Sequence, residues 1–106
     1  MNGAPDHQLQ ALGDPTRRAI VAQLRTGPVC VADLARRFPV SRPAISQHLR
    51  VLKDARLVTD SAAGTRRVYA VNPQAIESLR KYFDRFWARA LTAFKKKLDD
   101  DAKEGR

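Results

Sequence analysis

The sequence predicts a mainly α domain that carries one small β-hairpin, an α+β arrangement of about five helices with a two-stranded wing. Three observations support this. Apolar residues recur at spacings of three and four in separate stretches before Leu57 and again after Pro73. Between those stretches the period changes, because Leu57 to Ser61 and Arg66 to Val71 are rich in β-branched and aromatic residues around Ala62-Ala63-Gly64-Thr65. The 106 residues, 43% of them hydrophobic, suit one domain with enough apolar material for one core.

Leu9 and Leu12 lie three apart in a short first helix, over about residues 6–13. Asp14-Pro15 opens a second helix, since the carboxylate can accept from the first-turn N–H groups and proline lacks an N–H that would go unused there. Its apolar face is Ile20, Val21 and Leu24, and Gly27-Pro28 stops it. Val31, Leu34, Ala35 and Phe38 keep helical spacing in a third helix that Pro39 ends. Ser41 is an N-cap, Pro43 sits in the first turn, and Ile45, Leu49 and Leu52 form the buried stripe of a fourth helix. The hairpin follows, with a four-residue loop containing Gly64. Asn72-Pro73 caps a last helix with apolar positions Ile76, Leu79, Phe83, Phe86, Ala90, Phe94 and Leu98. Residues 73–98 span about 39 Å as a helix. The final stretch, residues 99–106, is charged and lacks an apolar anchor, so a frayed tail is expected.

Twenty Lys and Arg against eleven Asp and Glu give a net charge of +9, which points to a polyanionic partner. The excess is concentrated. Residues 36–67 hold eight cations (Arg36, Arg37, Arg42, Arg50, Lys53, Arg56, Arg66, Arg67) and two acids, Asp54 and Asp60. The outward face of the fourth helix is Arg42, Pro43, Ser46, Gln47, Arg50 and Lys53, with no acid before Asp54. Helix, tight turn, helix and basic hairpin together make a winged helix-turn-helix, whose second helix enters the major groove of double-stranded DNA. On that reading Arg42, Ser46, Gln47 and Arg50 have the donors and reach for base edges. Ser41, Lys53, Arg66 and Arg67 are placed for phosphates, and His48 beside the buried stripe supports the helix. Asp60, Arg36 and Arg37 stay open.

Other classes are disfavoured. The N-terminal residues lack the basic and apolar regions of a signal peptide, and no window spans a bilayer, so a cytoplasmic protein without membrane contact is expected. The single Cys30 excludes an intrachain disulfide. His7 and His48 stand near no nucleophile at a recognisable spacing, so no enzyme and no cofactor are expected.

The stretches ALGDPTRRAIVAQL, VADLARRFPVSRPAISQHLRVLKDARLV and GTRRVYAVNP resemble the ArsR/SmtB family of bacterial winged-helix repressors, continuously over about residues 9–73. The resemblance implies a homodimer paired through its first and last helices, with Leu9, Leu12, Leu79, Phe83, Phe86, Trp87, Ala90 and Phe94 at the interface. It divides the chain into a winged-helix domain over 1–98, with a DNA-binding core at 15–71 and dimerisation helices at about 6–13 and 73–98. Members that sense metals use cysteines in the third helix or His and carboxylates on the last. Here Ala32 stands where the thiol pair would be completed, and the last helix has no histidine, only Glu77 and Asp84 flanked by Arg80, Lys81 and Arg85. No metal site is therefore expected, and the effector stays unknown. FDRFWARALTAF resembles a non-metal branch whose last helix carries an aromatic seam. The leading expectation is a dimeric, sequence-specific repressor on a palindromic operator. The alternatives are an architectural DNA binder of low specificity and a protein-interaction module on a winged-helix scaffold.

Overall fold

Short capped helices alternate with turns through the first half of the chain, and a small sheet and one long helix complete it. The computed structural model describes residues 3–104. The order is α1 (Gly3–Ala11), α2 (Pro15–Leu24), β1 (Val29–Cys30), α3 (Val31–Ala35), α4 (Arg42–Asp54), β2 (Val58–Ala63), β3 (Arg66–Val71) and α5 (Pro73–Glu104). The five helices match the periodicity. The first spans Gly3–Ala11, so Leu12 lies in the turn beyond it.

Ser41 Oγ accepts from the Ala44 N–H at 3.2 Å and starts α4 as its N-cap. Ile20, Leu34, Ile45, Leu49, Leu52, Leu57 and Val58 are the largest fully buried side chains, so α2, α3 and α4 close over one core with the start of β2. The third helix stops at Ala35, before Phe38, which packs against the core from the turn. Pro39 acts one residue on, and the Arg37 N–H already bonds back to the Leu34 carbonyl in a tighter turn.

Sequence patterning did not show β1. Val29 and Cys30 pair with Tyr69 and Val68, giving an antiparallel three-stranded sheet in the order β1-β3-β2. Two residues are too few to display a period of two. The expected four-residue hairpin loop is corrected to two residues, because Ala62 pairs with Arg67 and Ala63 with Arg66. Gly64 takes φ 65° at the first of the two turn positions, which glycine tolerates and other residues resist.

Helix α4 ends in a Schellman motif. The Arg56 N–H bonds to the Lys53 carbonyl at 2.9 Å and the Leu57 N–H to the Leu52 carbonyl at 3.0 Å, while Leu52 and Leu57 are both fully buried. The residue that turns the chain there, at φ 64°, is Arg56 and not glycine. Asn72 braces this strained corner: its Nδ2 donates to the Arg56 carbonyl at 2.9 Å and its N–H to the Leu57 carbonyl at 2.9 Å. Its Oδ1 also accepts from the Gln74 N–H at 3.2 Å, so one side chain fixes the end of α4 and the start of α5.

Where a frayed tail was expected from residue 99, α5 continues to Glu104. Lys95, Lys96 and Lys97 stand four residues before Asp99, Asp100 and Asp101, a spacing that puts opposite charges on the same side of a helix, although none of them forms an ion pair among the described residues. The 32 residues reach about 48 Å. The radius of gyration is 19.0 Å, against about 13 Å for a compact domain of this length, because the far half of α5 stands clear of the core.

Two substitutions test this account. Leu49→Ala should cost about 2–5 kcal/mol of unfolding free energy in a urea titration. Arg56→Gly should raise the melting temperature by relieving the left-handed backbone, and Arg56→Val should lower it.

Candidate nucleic-acid interface

A helix that gives Ile45, Leu49 and Leu52 to the core must present the opposite side to water. Ser41, Arg42, Ser46, Gln47, Arg50 and Lys53 are all exposed on that side of α4. The Ser41 oxygen is occupied by its cap, yet the hydroxyl proton remains available for an anion. Beside the start of α4 the sheet forms one wall of a cleft of about 260 Å³, where Arg42 and Ser46 face Thr65, Arg66 and Arg67. Gln47, Arg50 and Lys53 lie along the helix outside that cleft.

Arg66 and Arg67 are neighbours on β3, so their side chains leave opposite faces of the sheet. Arg67 shares its face with Tyr69 and Val71, and across the ladder with Asp60 and Val58. Asp60 accepts from Lys53 Nζ at 2.9 Å on one oxygen and lies 3.3 Å from Arg67 Nε on the other. Hydrogen bonding from Lys53 holds the Asp60 carboxyl below the usual carboxylate range against the opposing effect of burial, and the Lys53 and Arg67 charges add to it. Among the described residues Arg42, Arg50 and Arg66 make no ion pair.

The other two open cations are engaged within the protein. Arg36 pairs with Asp33, and Arg37 Nη1 donates to Gln23 Oε1 at 2.8 Å, tying the turn after α3 to α2.

His48 is half-buried and accepts at Nδ1 from Arg17 Nη1 at 3.3 Å. Arg17 Nε donates to the Ala11 carbonyl at 2.6 Å, so one guanidinium joins the end of α1, the start of α2 and the flank of α4. Periodicity gave no sign of Arg17, which occupies a half-buried position on α2. The Asp14 cap accepts from the Thr16 and Arg17 N–H groups at 2.8 and 3.1 Å. The Arg17 N–H holds its carboxyl below the ordinary value against desolvation, with the Thr16 N–H and the Arg17 charge adding.

The aromatic residues of α5 divide. Leu79, expected at a dimer seam, is only 7% exposed and belongs to the protomer's own core, against which Leu9, Leu12 and Phe83 also pack. Phe86, Trp87, Ala90 and Phe94 are exposed, with Trp87 at 55% and Phe94 at 61%, and Leu91 and Leu98 extend the same apolar surface. Leu91 is not among the apolar positions that the sequence spacing predicts for this helix.

The residues present do not fit the metal sites of the resembling repressors. Glu77 and Asp84 both bind Arg80, at 2.6 and 2.7 Å. Cys30 is buried with Val31 and Ala32 following it, and no three His, Cys, Asp or Glu side chains among the described residues gather where they could hold a metal.

An amphipathic helix presented beside a basic wing defines a winged helix-turn-helix DNA-binding module. Residues 14–60 match the bacterial regulatory protein, arsR family, model. The HTH-type transcriptional regulator Rv2034 of Mycobacterium tuberculosis (strain ATCC 25618 / H37Rv) is 57% identical over 98 residues, 92% of each chain. The arsenical resistance operon repressor of Staphylococcus xylosus is 33% identical over 76 residues, 72% of this chain and 73% of that protein. Among solved structures, an ArsR-like transcriptional regulator from Rhodococcus sp. RHA1 superposes with a TM-score of 0.76 at 30% identity, over 89% of this chain and 92% of that one. The chain belongs to the ArsR family of bacterial regulatory proteins.

The Asp14 cap makes a pH-dependent prediction. A carboxyl whose folded value is depressed stabilises the fold above its unfolded value, near 3.9, and that contribution is lost as pH falls through the folded value. Asp14→Ala should therefore lower the melting temperature at pH 7, and the gap from the parent protein should narrow below about pH 4 in a thermal series.

Proposed function

We propose that the protein is a cytoplasmic transcriptional repressor that binds a palindromic operator as a homodimer and excludes polymerase from the promoter. The observation that carries this reading is the exposed face of α4, free of acids before Asp54, whose Arg42 and Ser46 stand across one cleft from the wing arginines. In it Arg42, Ser46, Gln47 and Arg50 read base edges in the major groove, and Ser41, Lys53, Arg66 and Arg67 hold phosphates. His48, fixed by Arg17, keeps α4 at its angle to α2. The family relatives named as transcriptional regulators and as an arsenical resistance operon repressor support the same role. A family of regulators gives no support to catalysis.

The dimer reading rests on the apolar surface of α5 from Phe86 to Leu98, which one protomer leaves in water. Two copies joined by a two-fold axis would cover it and set two α4 helices about 34 Å apart, in successive major grooves. With no second thiol beside Cys30, no histidine on α5, and Glu77 and Asp84 both bound to Arg80, the release signal in this reading is not a metal ion.

Selection of bound sequences from random duplexes tests the function. The expected winner is palindromic and preferred over a scrambled duplex by about a thousandfold or more. A preference within a few-fold, with equal salt slopes, would instead indicate an architectural binder. Gln47→Ala should relax base choice by about 1–3 kcal/mol at its contacted position, read as a change in the ranking of operator variants. Phe94→Asp should shift the protein to a monomer in sedimentation and weaken operator binding without unfolding it, because Phe94 lies outside the protomer core.

A further inference from the structure

Among the described residues Asp60 is the one acid that pairs with cations assigned to DNA, and its position is fixed by the sheet. Val58, Asp60 and Ala62 share a face of β2, and Val58 on that face is buried in the core beneath α4. Two residues along, the same face emerges at the edge of the core, so Asp60 points toward the last turn of α4 with its side chain only 11% exposed. Asp60 lies opposite Tyr69, and Arg67 stands two residues from Tyr69 on the same face of β3, a diagonal neighbour that a long side chain can reach. Lys53 reaches the other carboxylate oxygen from α4. One carboxylate therefore joins the end of the DNA-facing helix to the wing, and leaves this trio of charged groups with a net +1.

We infer that Asp60 is a specificity-determining residue, which occupies Lys53 and Arg67 in place of a DNA phosphate until α4 is seated in its groove. The inference rests on the DNA-binding reading above. A phosphate at an arbitrary site must compete with a nearly buried carboxylate that already holds both cations. A phosphate delivered beside Lys53 and Arg67 by correct docking of α4 meets two donors at a fixed separation. The carboxylate thus weakens contacts made out of register more than contacts made in register, which is discrimination by an opposing charge. Arg42, Arg50 and Arg66 are not restrained in this way among the described residues and supply the initial attraction.

The test compares the full-length protein with Asp60→Asn, an isosteric change that removes the charge, on the duplex selected by the parent protein and on a scrambled one, over a salt series. The expected result is tighter binding of the scrambled duplex, a salt slope there steeper by about one to two, and a smaller ratio between the two duplexes. In a Lys53→Ala background the steepening from Asp60→Asn should shrink to about one. Unchanged slope and ratio would overturn the inference. So would an equal loss of affinity on both duplexes, which marks a structural role. If Asp60→Asn and Asp60→Ser both melt below the assay temperature, Asp60 is a folding residue and the inference fails. If the parent protein binds no duplex at low salt, the DNA-binding reading falls and takes the inference with it.

Discussion

Ile45, Leu49 and Leu52 sit on one side of α4 with no exposure to solvent, and a helix that turns once in 3.6 residues has its other side determined when that one is fixed. Each of these side chains contributes about 1.5–3 kcal/mol by leaving water, so rotating the helix about its axis would expose the stripe and lose most of that gain. The polar residues that remain outside, Arg42, Ser46, Gln47 and Arg50, inherit their direction from this burial. The rest of the molecule secures the same helix: Ser41 caps its start, the Leu52–Leu57 contact closes its end, and Arg17 holds His48 on its flank. A recognition surface built this way needs few interactions among its own exposed side chains.

The wing depends on that helix in turn. Its sheet is short, and an isolated two-stranded hairpin has marginal stability in water. Burial of Leu57 and Val58 against the helices, pairing of β1 with β3, and the Asp60 bridge to Lys53 attach it to the body. These attachments lie toward the base of the hairpin, and none of them involves the turn at Gly64-Thr65. Helix and wing meet the cleft from its two sides.

Most of the helical architecture was legible because α2, α4 and α5 each announce themselves twice, by an apolar stripe and by a cap. Asp14-Pro15, Ser41 and Asn72-Pro73 all start helices where the pattern placed them. The exposed face of α4 was legible for the same reason, since it is the complement of the stripe. Four features were not. The β1 strand is shorter than any period, the left-handed Arg56 breaks the preference for glycine at such a corner, and the Arg17–His48 and Asp60 contacts join residues 31 and 7 or more positions apart in sequence. Contacts of that kind depend on how elements pack, and composition holds no record of them. Leu79 shows the limit on α5: one continuous stripe serves the protomer's core at its start and an outer surface farther along, and spacing alone does not mark the change.

That change of role along α5 also explains why the helix is so long. From Pro73 to Phe83 it is anchored through Ala75, Ile76, Leu79 and Phe83, and Asn72 ties its first turn to the end of α4. Beyond Phe83 the apolar residues continue at helical spacing with nothing of their own protomer to cover them, and Leu91 at 63% is the most exposed of the large ones. A stripe of large side chains held in water is unfavourable by the same burial term that stabilises the core. The Arg80 bridge to Glu77 and Asp84 lies on an exposed side of the anchored half, so the charged and apolar faces are already separated before the helix leaves the body. The Asn72 bonds to the Arg56 and Leu57 carbonyls and to the Gln74 N–H join the end of α4 to the start of α5, so the directions of the two helices are set together at that corner. The geometry of the far half of α5 and the geometry of the DNA-facing helix are in this way parts of one mechanical unit.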